Sequence, residues 1–85
     1  MSLLWWIIGA IVLGGITVIT IRGIITRNRI RQRKNELDGI KVKLDSVTGN
    51  GVSYTVFLED GTKEQERMES SDGVESSLFE GELII

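Results

Sequence analysis

The sequence predicts a single transmembrane α-helix with a cytoplasmic helical extension, followed by a small antiparallel β-sheet domain of three to five strands. Three observations carry this expectation. Residues 1–21, "MSLLWWIIGAIVLGGITVITI", contain no charged side chain. A basic cluster follows at once, with Arg22, Arg27, Arg29, Arg31, Arg33 and Lys34 unaccompanied by any acid before Glu36. From Ile40 onward, apolar and polar residues alternate with a period of two, punctuated by turn signals. The expected domains are a transmembrane anchor over 1–26, a basic juxtamembrane helix or linker over 27–38, and a small acidic β domain over 39–85.

Taken as a helix, Leu3 to Ile21 would be roughly 28 Å long at 1.5 Å per residue, close to the roughly 30 Å hydrocarbon core of a bilayer. Trp5, Trp6 and Arg22 would anchor it at the interfaces, where amphipathic rings and snorkelling cations sit well. Ala10, Gly14 and Thr17 fall at i, i+4 and i+7, a small-residue stripe that would let a neighbouring helix pack closely. Gly14-Gly15 reads alternatively as a flexible point or bend. A cleaved signal peptide fits less well, because its positive charge should precede the apolar run and small residues should follow it.

In "TRNRIRQRKNE" the basic residues Arg27, Arg29, Arg31, Arg33 and Lys34 would meet lipid headgroups and, under the positive-inside rule, place the C-terminal side in the cytoplasm and the N-terminus outside. No aromatic residue interleaves them for base stacking, so nucleic acid is disfavoured as a partner. The helix is expected to run to Glu36 or Leu37, with Asp38-Gly39 ending it.

In the second half, Ile40, Val42 and Leu44 alternate with Lys41, Lys43 and Asp45. Likewise Val52, Tyr54, Val56 and Leu58 share one face of the next strand. "TGNG" joins the two. A three-residue loop, Gly49 to Gly51, would pair Leu44 with Val56 and Val42 with Leu58, set Lys41 opposite Glu59, and use Gly51 in a left-handed bulge. Asp60-Gly61 suits a tight turn into a third strand, Thr62 to about Met68, whose polarity reads as a charged edge. Thr62 and Gln65 also have capping-box spacing, which leaves a helix as the alternative there. "VESSLFEGELII" reads as one or two short strands with Gly81 at a bend. Phe79, Leu83, Ile84 and Ile85 either close this undersized sheet or dock on a partner.

The net charge of −2 conceals a basic first half and an acidic second half. With no histidine and no cysteine, the chain lacks the usual general base near neutral pH and the thiolate nucleophile or ligand. No catalytic, cofactor or metal residues are assigned, and no small-molecule substrate. "EDGTKEQERMESSDG" is acidic, yet it lacks the spacing of a calcium loop. The chain therefore reads as non-catalytic. The expected function is that of a single-pass membrane accessory or structural subunit, contacting the lipid bilayer and other subunits of a respiratory, photosynthetic or secretory complex. Alternatives are a structural membrane protein of a virion with an internal bilayer, and a membrane-tethered regulator that recruits a soluble partner.

Overall fold

The structure is a computed structural model that describes residues 7–85. Trp5 and Trp6 lie outside the described residues. The first elements are not helical. Ile7–Leu13 forms strand β1 and Ile16–Ile21 forms β2, paired antiparallel with Leu13 opposite Ile16. Gly14 and Gly15 join them at φ of 58° and 83°. Those positive values are what a two-residue hairpin turn requires at both central positions, and glycine adopts them without a Cβ penalty.

Composition explains why this apolar stretch is extended. Ten of the fifteen residues from Ile7 to Ile21 are Ile, Val or Thr. Branching at Cβ restricts χ1 in a helix and packs well on a pleated surface. The Gly-Gly pair, placed midway, is a hairpin signal as much as a bend. Among the described residues no helix is long and apolar enough to cross a membrane. That finding overturns the expected transmembrane anchor. With it fall the single-pass topology, the outside-to-cytoplasm orientation, and the membrane accessory, virion and membrane-tethered functions that rested on it.

The one helix among the described residues, α1, spans Arg27–Glu36. Thr26 is its N-cap, with Oγ1 accepting from the Arg29 amide at 3.2 Å. Leu37 closes it, and Asp38 turns the chain at φ 58°, a left-handed conformation in which aspartate is tolerated better than most residues. The expected helix end therefore stands, whereas the continuous helix leading into it does not. Gly39 follows where a Cβ would strike the side chains of Val56 and Lys34.

Three strands then form a meander: β3 (Gly39–Val47), β4 (Gly51–Leu58) and β5 (Lys63–Glu69). A short β6 (Leu83–Ile84) adds to the outside of β3. The strand order is β1-β2-β5-β4-β3-β6, and β2 runs parallel to β5, so the sheet is mixed. The polar strand β5, expected at an edge, lies in the middle. The β3–β4 register pairs Val42 with Val56 and Leu44 with Tyr54, two residues from the expected pairing. A shift of two keeps side chains on their faces, so Val42, Leu44, Val52, Tyr54 and Val56 are buried as expected, whereas Ile40, beside the irregularity between Gly39 and Lys41, is 48% exposed. Gly51 is not among the glycines with positive φ; a Cβ there would have to displace the Arg67 guanidinium, which lies against it.

One face of the sheet carries the core. Ile19 and Ile21, Val42 and Leu44, Val52, Tyr54 and Val56, Met68 and Ile84 meet Ile25, Ile30 and Leu78 from the covering layer. That layer is α1, the segment around Ile25 that leads into it, and the irregular 70–82 segment, and the opposite face is left open. Glu66 sits on the core-facing row, across from Tyr54, and is only 4% exposed. Arg33 reaches down from α1 to grip it with both ends of the guanidinium, at 2.9 and 2.7 Å, and the Tyr54 hydroxyl donates to it at 2.9 Å. Burial, reinforced by the Glu66 carboxylate, pushes the Tyr54 phenol well above its usual range, so it remains a donor. No buried side-chain polar atom among the described residues is left without a partner.

A second strap holds the C-terminal segment to the start of α1. Glu75 accepts from the Arg27 amide at 2.9 Å, placing a carboxylate where the positive end of the helix dipole favours one. The Arg27 side chain pairs with Glu82 through Nε and through Nη2, the latter at 3.1 Å. Both carboxyls are held below the ordinary glutamate range, Glu82 chiefly by the Arg27 side chain and Glu75 chiefly by the Arg27 amide.

Two outcomes follow from this packing. Glu66→Ala strands a buried guanidinium and is expected to lower the unfolding free energy by about 3 kcal/mol in a urea titration, whereas Arg33→Met with Glu66→Leu recovers most of that loss. Equal stability of wild type and Glu66→Ala would contradict the assignment. The acid response has a fixed sign. Carboxyls with a lowered folded pKa contribute fully above the ordinary glutamate value of about 4.3, and their contribution fades as pH falls below it and through the folded values. The thermal midpoint of the wild type should therefore drop below about pH 4, and Glu82→Gln should flatten that drop.

Candidate functional site

Sequence reasoning placed the functional residues on the apolar segment and the basic cluster. The structure distributes them differently. Ala10 is in β1, Gly14 in the hairpin turn and Thr17 in β2 opposite Val12, so their helical spacing does not align them. Arg22 is exposed just after β2. On α1, Arg27 and Arg33 make the two internal ion-pair groups described above. Arg31 donates to the Ile85 carbonyl at 3.1 Å and to the Asn28 side chain at 2.6 Å. Lys34 is buried, and Arg29 donates its amide to Thr26. At the C-terminal end, Ile84 belongs to the core, whereas Phe79, Leu83 and Ile85 are exposed. The tail thus closes the sheet through one residue and leaves three apolar side chains on the surface.

Two surface features stand out instead. The first is β1 itself. Ile8, Ile11, Val12 and Leu13 are 52–68% exposed, and among the described residues nothing pairs with the outer edge of the strand. Isolated exposed aliphatics are ordinary. A seven-residue edge strand with no charge, no proline and adjacent bare aliphatics is not, because its free amides and carbonyls form a template for another strand. The opposite edge of the sheet is different, since β6 has only two residues.

The second feature lies on the open face. Lys41, Phe57 and Lys63 are cross-strand neighbours in one row over β3, β4 and β5, and Lys43, Thr55 and Gln65 form the next row. The Lys41 and Lys63 ammonium groups sit over the Phe57 ring, 5.1 and 6.0 Å from its centroid. Thr55 Oγ1 donates to Asp45 at 2.6 Å. Lys43, Thr55, Phe57, Lys63 and Gln65, together with the carboxylates of Asp45 and Glu64, line a shallow open depression bounded on one side by Gly15 of the hairpin turn.

Both features were reachable only in part from the sequence. The outward phase of Lys41 and Lys43 was visible, and Phe57 occupies the polar phase of β4, an unusual place for an aromatic. Lys63 joins them only through the β4–β5 register. Among the described residues no group of three or more acidic side chains gathers to hold a metal ion; in particular, Glu66 in the acidic stretch is committed to Arg33. Comparison with protein-family models, with curated proteins and with solved structures gives no match to this chain.

Proposed function

We propose that the chain is a non-catalytic assembly module that joins a second copy of itself through the outer edge of β1. The observation that carries this reading is the unguarded edge: seven residues of apolar strand, Ile7–Leu13, whose outer side pairs with nothing among the described residues and whose aliphatic side chains are exposed.

A second copy fits this edge for three reasons. β1 carries no charge, so two identical strands approach without like-charge repulsion. An antiparallel pairing about a two-fold axis through Ala10, the midpoint of the strand, brings the small residues together and sets each Ile11 beside a Gly9. Finally, the asymmetry of the two sheet edges disfavours other arrangements. Joining β1 to β6 would engage only two residues of the latter, whereas β1 with β1 uses the full strand and consumes the edge. An isologous contact of this kind closes at two copies and does not propagate into a fibre. The absence of histidine and cysteine and the internal commitment of Arg27, Arg33 and Glu66 favour assembly over catalysis.

Sedimentation equilibrium of the full chain tests the reading. The wild type should be a dimer at micromolar concentration. Ala10→Lys sets two ammonium groups against each other at the axis and should weaken association at least ten-fold, while Ala10→Thr, a neutral strand former, should keep it. Circular dichroism of all three should agree. A wild type that remains monomeric, or an Ala10→Lys chain that associates as tightly as the wild type, overturns the proposal.

A further inference from the structure

The tip of the β3–β4 hairpin supports an inference independent of the β1 edge. Asn50 is exposed there and is the chain's one asparagine followed by glycine, since Asn28 precedes Arg29 and Asn35 precedes Glu36. That order sets the Gly51 amide beside the Asn50 side-chain carbonyl carbon, with no Cβ on Gly51 to obstruct a close approach. Two neighbours act on the pair. The Arg67 guanidinium lies against Gly51 and donates to the Thr48 hydroxyl at 3.0 Å. The Thr48 hydroxyl in turn shares its proton between Asn50 Oδ1 at 3.4 Å and the Gly51 carbonyl at 3.1 Å.

We infer that Asn50 is a site of spontaneous conversion to aspartate and isoaspartate through a cyclic imide with Gly51, assisted by the Thr48 hydroxyl and the Arg67 charge. The Gly51 amide loses its proton to hydroxide and its nitrogen bonds to Asn50 Cγ. The Cγ–Nδ2 bond then breaks, and the side-chain nitrogen leaves as ammonia with a proton from water. A second water opens the ring at either carbonyl carbon, its hydroxyl going to that carbon and its proton to the Gly51 nitrogen; nothing is oxidised or reduced. Arg67 favours the deprotonated amide by its positive charge. The Thr48 hydroxyl donates to Oδ1 as that atom becomes an oxyanion, a contact that is long in the resting chain and of a kind that tightens as charge develops. Opening at the main-chain carbonyl carbon routes the chain through Cβ and Cγ and turns the old carbonyl into a free carboxylate. That carbonyl accepts from the Ser70 amide at 2.9 Å. Ser70 Oγ donates to the Gly23 carbonyl at 2.6 Å, and Asp72 accepts from the Gly23 amide at 2.7 Å. The added methylene therefore falls where the hairpin tip holds the 70–73 segment against the chain leaving β2, and isoaspartate loosens that brace.

Ageing of the full chain in mildly alkaline buffer, with and without urea, tests this by peptide mass mapping and by methylation with an isoaspartate-specific methyltransferase. The peptide holding Asn50 should gain the mass of amide-to-acid exchange and become a methyl acceptor, while those holding Asn28 and Asn35 should not. Without urea, Thr48→Val and Arg67→Gln should each slow the gain at least three-fold, and Thr48→Ser should keep the wild-type rate. In urea, where the hydroxyl and the guanidinium are no longer held in place, all four chains should convert at one rate. The purified isoaspartate form should exchange its Ser70 amide at least ten-fold faster than Asn50→Asp, which carries the same charge on an unaltered main chain. The inference is overturned if native Asn50 gains no mass, if Thr48→Val ages as fast as the wild type without urea or is equally slowed in urea, or if the isoaspartate and Asn50→Asp chains protect Ser70 alike.

Discussion

The contact between Arg33 and Glu66 organises this small protein, because it reconciles a charged sequence with a central strand. β5 reads "KEQERME" and lies between β2 and β4, where one of its faces must meet the core. Of its core-facing positions, Met68 is apolar and Glu66 is not. A carboxylate buried there would be prohibitive alone, since removing an ion from water costs several kcal/mol even after relaxation. The bidentate guanidinium from α1 and the Tyr54 hydroxyl together satisfy it. The same contact fixes where the helix lies, since Arg33 can reach Glu66 only with α1 across the core face. Such a network adds specificity of arrangement as much as net stability.

Commitment of the arginines to internal pairs shapes the remaining surface. Arg27 holds the C-terminal segment against the helix start, and that segment, with Leu78 and Ile84, covers the part of the core that a ten-residue helix cannot reach. With these cations engaged, the open face is left with its lysines, and β1 is left with its bare edge. A chain of 85 residues has enough material to cover one face of a six-stranded sheet, and the other face stays in contact with whatever surrounds it. Surface features on small domains of this kind come from what the core does not need.

The pattern of the second half was legible in the residues. Alternation in β3 and β4, the Asp60-Gly61 turn with its φ of 88° at Gly61, the strand at β5 and the stop at Asp38 are all local consequences of side-chain period and backbone preference. Register was harder: pairings two residues apart preserve the same faces, and the bulge between Leu44 and Ser46, with the Thr48 amide donating to the Gly51 carbonyl at 2.8 Å, selects the observed one. The apolar first segment was misread because hydropathy is blind to what distinguishes a membrane helix from a hairpin. That distinction lies in β-branching and in a Gly-Gly pair at the midpoint, and both were present.

By itself the sequence determined the alternation of strands, the helix end, the charge asymmetry and the lack of histidine and cysteine chemistry, since each depends on residues close together in the chain. Tertiary structure alone decided that β2 lies parallel to β5, that Glu66 meets Arg33 across 33 positions, that Lys63 joins Lys41 around Phe57, and that β1 ends the sheet uncovered. Those are choices among non-local pairings. Local propensity assigns them nearly equal weight, and only simultaneous satisfaction of the core and its buried charge separates them.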